Sequence, residues 1–179
     1  MTNLFKVKLT KTSEDFEKLF QLAFQDIYDL TEKICNSQSK TIKGFRHFMD
    51  EPWVILNGDS IAIIAECYYV VIGKQDAYEN TSLEYDFGKR SPANDAFLFA
   101  IMSIFYHYIP ETEFYNEVAP YEDHFDDGVI LARLVNDKIK NPFMDKLIPL
   151  EQLIVSKHIK KVYLALTDKS SNKIVRFYY

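Results

Sequence analysis

The densest group of side chains able to do chemistry is Glu122-Asp123-His124-Phe125-Asp126-Asp127. On a helix, Asp123 and Asp127 stand four residues apart and share a face, with His124 beside them. Carboxylates with an imidazole form a donor set for a divalent cation, and two carboxylates are what a hydrolase needs as general acid and general base. Acids at such a place also have a plainer cause. The first amide groups of a helix lack acceptors within it, so negative charge is favoured there. We therefore read the cluster as a helix start and expect neither a metal nor a cofactor. Glu66 is the second candidate, because it sits inside an apolar, β-branched run. Burial there raises a carboxyl pKa and marks a functional group, unless the strand surfaces at that point or a lysine pairs with it.

His47, His107 and His158 are isolated in sequence. Cys35 and Cys67 lie far apart among apolar or helix-forming neighbours. That context describes small core residues with free thiols, and not a disulfide framework, a zinc knuckle or an activated nucleophile. The glycines Gly44, Gly58, Gly73, Gly88 and Gly128 are too widely spaced for a phosphate-cradling loop, which needs them clustered so that backbone can approach the ligand. Neither a Gly-x-Ser-x-Gly elbow nor a His-Glu-x-x-His zinc helix occurs. The chain is thus expected not to be an enzyme. The alternative is a small hydrolase or other enzyme built on one of the carboxylate sites above.

Charge is distributed unevenly. Residues 50–132 carry three Lys/Arg against sixteen Asp/Glu, whereas residues 133–179 carry ten against four. From Ser91 to Ala132 there is no Lys or Arg. Such asymmetry speaks of partners and not of fold, and it argues against direct nucleic-acid binding, which needs a concentrated basic footprint. Within the acidic third, residues 111–127 hold seven acids interleaved with Phe114, Tyr115, Tyr121 and Phe125. Carboxylates steer a basic partner and aromatic rings anchor it. The expected contact set is Glu111, Glu113, Tyr115, Glu117, Tyr121, Glu122, Asp123, Asp126 and Asp127. The competing reading is a solvated acidic connection whose aromatic rings pin it to the core.

The elements that must position these residues follow from periodicity. Leu4–Leu9 alternates apolar residues with lysine and predicts a short strand. Thr12 and Asp15 open a helix with the stripe Phe16, Leu19, Phe20, Ala23, Ile27, Leu30 and Ile34. A short segment, Ile42–Met49, is left unassigned. Trp53–Leu56, Asn57-Gly58 and the run Ser60–Ile72 predict a hairpin, its second arm central in a sheet. Leu83, Tyr85 and Phe87 alternate with Glu84 and Asp86 as a further strand. Ser91-Pro92 starts a helix that is apolar nearly all round. The next helix is expected from about Asp123 to Lys140, burying Phe125, Val129, Ala132, Val135 and Ile139, and ending at Asn141-Pro142. Pro149 is expected to start a shorter helix to about His158, and Val162–Thr167 and Lys173–Tyr179 to form a C-terminal hairpin.

The expectation is a single α+β domain over residues 1–179, with a mostly antiparallel sheet of about five to six strands packed against three to four helices. That sheet includes a 53–72 hairpin and a 162–179 hairpin. A length of 179 residues with 47% apolar side chains suffices for one core. Lysines near the N-terminus interrupt any signal-peptide core, and the longest apolar stretch, Ala96–Ile109, is too short to span a bilayer. A cytoplasmic location without membrane contact is expected. In general character the profile is similar to bacterial immunity proteins and other inhibitors of basic nucleases, a likeness of composition and not of motif. It implies a protein-binding inhibitor whose acidic, aromatic surface occludes the basic active site of a toxin or nuclease. A third class is a structural or interaction subunit, such as a homodimer pairing through edge strands.

Overall fold

The computed structural model describes residues 3–8, 16–48, 53–57, 60–65, 68–73, 82–87, 92–110, 113–116 and 122–167, with side chains described at 18–46, 93, 95–110 and 125–167. The first helix, α1 (Phe16–Asn36), buries Phe20, Ala23, Ile27, Leu30 and Ile34 along one stripe and exposes Gln25, Asp29, Glu32 and Lys33. Its final carbonyls have no donor within the helix, and Arg46 of α2 (Lys40–Phe48) supplies one, donating from Nη1 to the Ile34 and Cys35 oxygens. A cation at a helix C-terminus also complements the helix dipole. The same contact sets the turn between the two helices, from which α2 inserts Ile42 and Phe45 into the core.

Helix α3 (Pro92–Tyr108) opens on proline, whose missing N–H is not needed in a first turn. Residues 95 to 105 are buried without interruption, so α3 has no wet face over that length. A helix apolar all round has to be enclosed by others. Here α1 lies along one side and α4 (Glu122–Ala132) along another, with α2 adding a further contact. The approach of α4 is close enough to require Gly128. A Cβ there would overlap that of Phe99 and would lie 2.8 Å from the Phe99 carbonyl carbon and 2.9 Å from the Ala100 nitrogen. A 3-10 turn (Leu150–Gln152) precedes α5 (Lys157–Leu166), which covers α2 and α4 with Ile159, Val162 and Tyr163.

Among the described residues six strands are traced: β1 (Asn3–Lys8), β2 (Trp53–Asn57), β3 (Ser60–Ala65), β4 (Tyr68–Gly73), β5 (Ser82–Phe87) and β6 (Glu113–Asn116). They form two separate antiparallel ladders, ordered β5-β1-β6 and β2-β3-β4. In the second, Asn57 stands opposite Ser60 and Ala65 opposite Tyr68. The run Ser60–Ile72 is therefore two strands folded on each other and not one long arm.

The expected sheet-dominated α+β fold is corrected by this architecture. Among residues described with their side chains, 70% are helical and 2% are in strand, so the fold is mostly helical. Every principal neighbour of a helix is another helix, and the buried apolar cluster lies on α1, α2, α3, α4, α5 and the segment joining the last two. The 162–179 hairpin fails at its first arm, since Val162–Leu166 is helical. Ser156 caps that helix through its Oγ, which accepts from the Ile159 N–H, and Ile159, Val162, Tyr163 and Leu166 then fall at helical spacing. Residues 168–179 lie outside the described residues. Helix α4 ends at Ala132, eight residues before the expected Lys140. No helix among the described residues is long and apolar enough to cross a membrane.

Gly128→Ala tests the close approach. Alanine gains up to about 1 kcal/mol of helix propensity, but overpacking against backbone costs about 1–3 kcal/mol. A lower denaturant midpoint is expected, and an unchanged or higher one would show that α3 and α4 are further apart.

Candidate protein-binding surface

The acidic cluster at the start of α4 divides in two. Glu122 and Asp123 are placed by backbone in the first turn, the helix end that favours negative charge. Asp126 and Asp127, one turn later, bind the chain's own backbone. Asp127 is 0% exposed, and its Oδ1 accepts from the Ser156 N–H at 2.7 Å. Ser156 is the N-cap of α5, so this buried carboxylate sits at the positive end of that helix. Asp126 Oδ2 accepts from the Ile154 N–H at 2.8 Å, and its Oδ1 accepts from Asn141 Nδ2 at 3.3 Å.

Arg133 completes the arrangement from just past the helix. It is 7% exposed, and it donates from Nε to the Ile139 carbonyl at 2.8 Å and from Nη1 to the Ile148 carbonyl at 2.5 Å. Burial pulls its guanidinium below the ordinary arginine pKa, while the charges of Asp126, Tyr163 and Asp137 pull it back up. Asp126 and Asp127 in the middle of α4, with Arg133 just past it, thus fasten residues 139, 141, 148, 154 and 156 to that helix. Between these points the chain makes a tight turn closed by the Asn141–Lys146 bridge. Asn141 Oδ1 accepts from the Phe143 N–H at 3.0 Å, Lys140 pairs with Asp145 at 3.2 Å, and Asp145 adopts a left-handed φ of 46°.

A second polar cluster ties α1 to α3. The Tyr108 hydroxyl donates to Asp26 Oδ2 at 2.7 Å, and Asn136 Nδ2 donates to the Tyr108 oxygen at 3.2 Å. Burial, followed by the hydrogen bond and the charge of Asp26, pushes the Tyr108 phenol up to about 12. Next to it His107 is lowered, chiefly by burial and against the pull of Asp26. Cys35, expected to be buried, is exposed, and partial desolvation raises its thiol against the opposing charge of Arg46. That direction is opposite to the one that activates a nucleophile.

The sequence-derived contact residues therefore have different positions. Asp127 has no surface to offer a partner, and Asp126 is engaged in holding the chain. Glu113 and Tyr115 lie in β6, whose register sets them opposite Lys8 and Lys6 of β1. Glu122 and Asp123 are placed by backbone on α4, while Glu111, Glu117 and Tyr121 lie outside the described residues, as do Glu66 and Cys67. Among the described residues no three His, Cys, Asp or Glu side chains come together as metal ligands. What the sequence did not reveal is the 139–156 segment, which exposes Phe143, Met144, Leu147 and Ile154. Its signal was present as four large apolar residues outside any helical period. No family model matches the chain, and searches of curated proteins and of solved structures find no match either.

Two outcomes check these clusters. Asp127→Ala leaves the Ser156 N–H without its acceptor and is expected to cost about 1–3 kcal/mol, with faster amide exchange at Ser156 and Ile159. An unchanged stability would remove Asp127 from the framework. For Tyr108, the unfolded phenol ionises near 10, below the folded value of about 12. Its contribution is therefore intact below pH 10 and declines as pH rises toward 12. Tyr108→Phe should flatten the fall in stability between pH 10 and 12, measured by denaturant titration at each pH, and leave the slope near pH 7 unaltered.

Proposed function

We propose that this chain is a protein-binding inhibitor that recognises a basic partner, in the manner of an immunity protein covering the active site of a toxin or nuclease. The observation that carries the reading is the charge distribution: sixteen Asp/Glu against three Lys/Arg over residues 50–132, with no basic residue from Ser91 to Ala132. A basic active site that holds phosphates in its working state accepts carboxylates in their place. Inhibition by occlusion needs only complementary charge and a few anchoring side chains. With Asp127 buried and Asp126 bound to its own chain, the contact set contracts to Glu111, Glu113, Tyr115, Glu117, Tyr121, Glu122 and Asp123. Carboxylates at the rim act on the encounter, because unpaired charges are felt over a Debye length. Aromatic rings act on the bound state, because their loss exposes area that was dry.

Kinetics on a purified partner separate these roles. Neutralising Glu111, Glu113 and Glu117 together (to Gln) should slow association markedly at low salt and little at 1 M salt, where the Debye length is about 3 Å. Tyr115→Ala or Tyr121→Ala should instead speed dissociation, by on the order of 30-fold for a central anchor. A partner whose binding ignores all five substitutions would remove the acidic segment from the interface.

A further inference from the structure

We propose that α2 and α5 together form a basic face that docks the phosphate backbone of duplex nucleic acid, with Lys40, Lys43, Lys157 and Lys161 as its phosphate contacts. This goes beyond the inhibitor reading and does not rest on it. In the sequence the basic residues stand in two short groups far apart, 40–46 and 157–161, and neither alone makes a concentrated footprint. The fold joins them. Helices α2 and α5 pack against one another, and the ring of Phe45 meets that of His158 with centroids 5.9 Å apart. His158 stands next to Lys157 and one turn before Lys161, so the contact brings the charges of α5 beside those of α2. Axes of packed helices lie about 8–10 Å apart, close to the Debye length of about 8 Å at physiological ionic strength. Charges on the two helices therefore act on one ligand.

Neither helix carries an Asp or Glu. Lys40, Lys43, Lys157 and Lys161 are exposed, and among the described residues none of the four pairs with a carboxylate. Glu32 and Glu151 are the described acids nearest to them in sequence, against five lysines and Arg46 on the helices themselves. All five lysines fall within the first five residues of a helix. Cations there oppose the helix dipole, so their placement does not serve the stability of either helix. A bound anion offsets that cost. Gly44 points the same way: it lies four residues from Lys40 on the same face, and a Cβ there would meet nothing within 4 Å. Packing does not require a glycine at this point, although it costs about 1 kcal/mol relative to alanine in a helix. A bare backbone lets a ligand approach closely.

The chemistry of the face selects phosphate over other anionic surfaces. Protein interfaces are depleted in lysine and rely on aromatic and arginine anchors. Here Phe45 and Tyr163 are buried, and Arg46 is engaged by the Ile34 and Cys35 carbonyls. A lipid surface holds a basic helix through an apolar face laid into the bilayer. The apolar stripe of α5, Ile159, Val162 and Tyr163, is already in the core. Single strands are gripped by rings that stack on their bases, and the exposed ring described on these helices, His158, lies against Phe45. A duplex asks only for cations at intervals along a groove edge, since it carries one charge per about 1.7 Å of axis. Lysines one helical turn apart, about 5–6 Å between Cβ atoms, supply them. Such contacts position a protein without reading sequence.

The test follows binding of the full chain to a labelled mixed-sequence DNA duplex by fluorescence anisotropy, as salt rises from about 50 to 200 mM. Four phosphate contacts give a slope of log K against log salt of about −3.6, a loss of affinity on the order of 100-fold over that range. Lys43→Gln with Lys161→Gln should bring the slope to about −1.8 and the loss to roughly 10-fold, with the thermal midpoint unchanged because both side chains are exposed. Lys18→Gln with Lys138→Gln removes the same charge from outside both helices and should leave the slope as it was. Should the first pair disturb folding, Lys40→Gln with Lys157→Gln carries the same expectation. A slope that falls equally in the control pair overturns the inference, as does the absence of duplex binding at about 50 mM salt. Tighter binding of a single strand, or capture by phosphatidylserine vesicles without duplex binding, overturns it too. Duplex RNA run in parallel identifies which backbone is held, and binding of either duplex with the expected slope supports the assignment.

Discussion

A carboxylate taken out of water loses several kcal/mol of hydration unless hydrogen bonds and favourable charge replace it. Asp127 meets that requirement at the amino end of α5, where a backbone N–H reaches it at 2.7 Å and the helix dipole adds positive potential. Arg133 meets the opposite requirement in part, six residues on, with two backbone carbonyls as acceptors for Nε and Nη1. Each is matched to main chain, and that choice carries a consequence: main-chain partners fix where the chain runs, whereas a side-chain partner fixes only another side chain. The path of residues 139–156, and through it the seat of α5 on α2 and α4, depends on these contacts.

The helical body beneath them has a similar logic of exclusion. Helix α3 leaves no polar face between residues 95 and 105, so it is stable only when surrounded. Gly128 admits the α4 backbone to within overlapping distance of Phe99, which allows Phe99 and Phe125 to meet edge to face with centroids 4.3 Å apart. At its C-terminal end α3 emerges as Tyr106, His107 and Tyr108, and each tyrosine is tied to an acid on another element: Tyr106 to Asp145 and Tyr108 to Asp26. The transition from dry helix to polar fastening occurs within one turn.

Part of this was legible in the sequence. The stripe of α1 is local and periodic, and Ser91-Pro92 marks the start of α3 by backbone chemistry alone. The misreadings have a common cause, which is that local pattern was satisfied while a distant contact decided. Val135 and Ile139 continue the apolar register of α4, yet the helix stops at Ala132 and Arg133 draws Ile139 back beneath it. Val162 to Leu166 has the β-branched and aromatic content of a strand, but Ser156 caps the segment and its stripe finds α2 and α4. In the acidic cluster, Asp126 and Asp127 looked like neighbours of Asp123 with the same role. The contacts that separate them reach 28 and 29 residues along the chain and leave no trace in spacing.

That separation alters how the acidic third of the chain is to be understood. Charge density in sequence had suggested one continuous steering surface, but two of its carboxylates are structural and turn inward, and their effect on the exterior is indirect. By holding Asn141, Ile154 and Ser156 they bear on which side chains the following segment presents, Phe143, Met144, Leu147 and Ile154 among them. An all-acidic face would attract any basic protein and bind none of them tightly, because exposed ion pairs each contribute little. An apolar centre alone would bind without steering and would favour self-association. The acids of one short helix thus divide between its first turn and the backbone of the segment that follows. A change in the inward pair therefore alters the apolar surface without touching any residue on it.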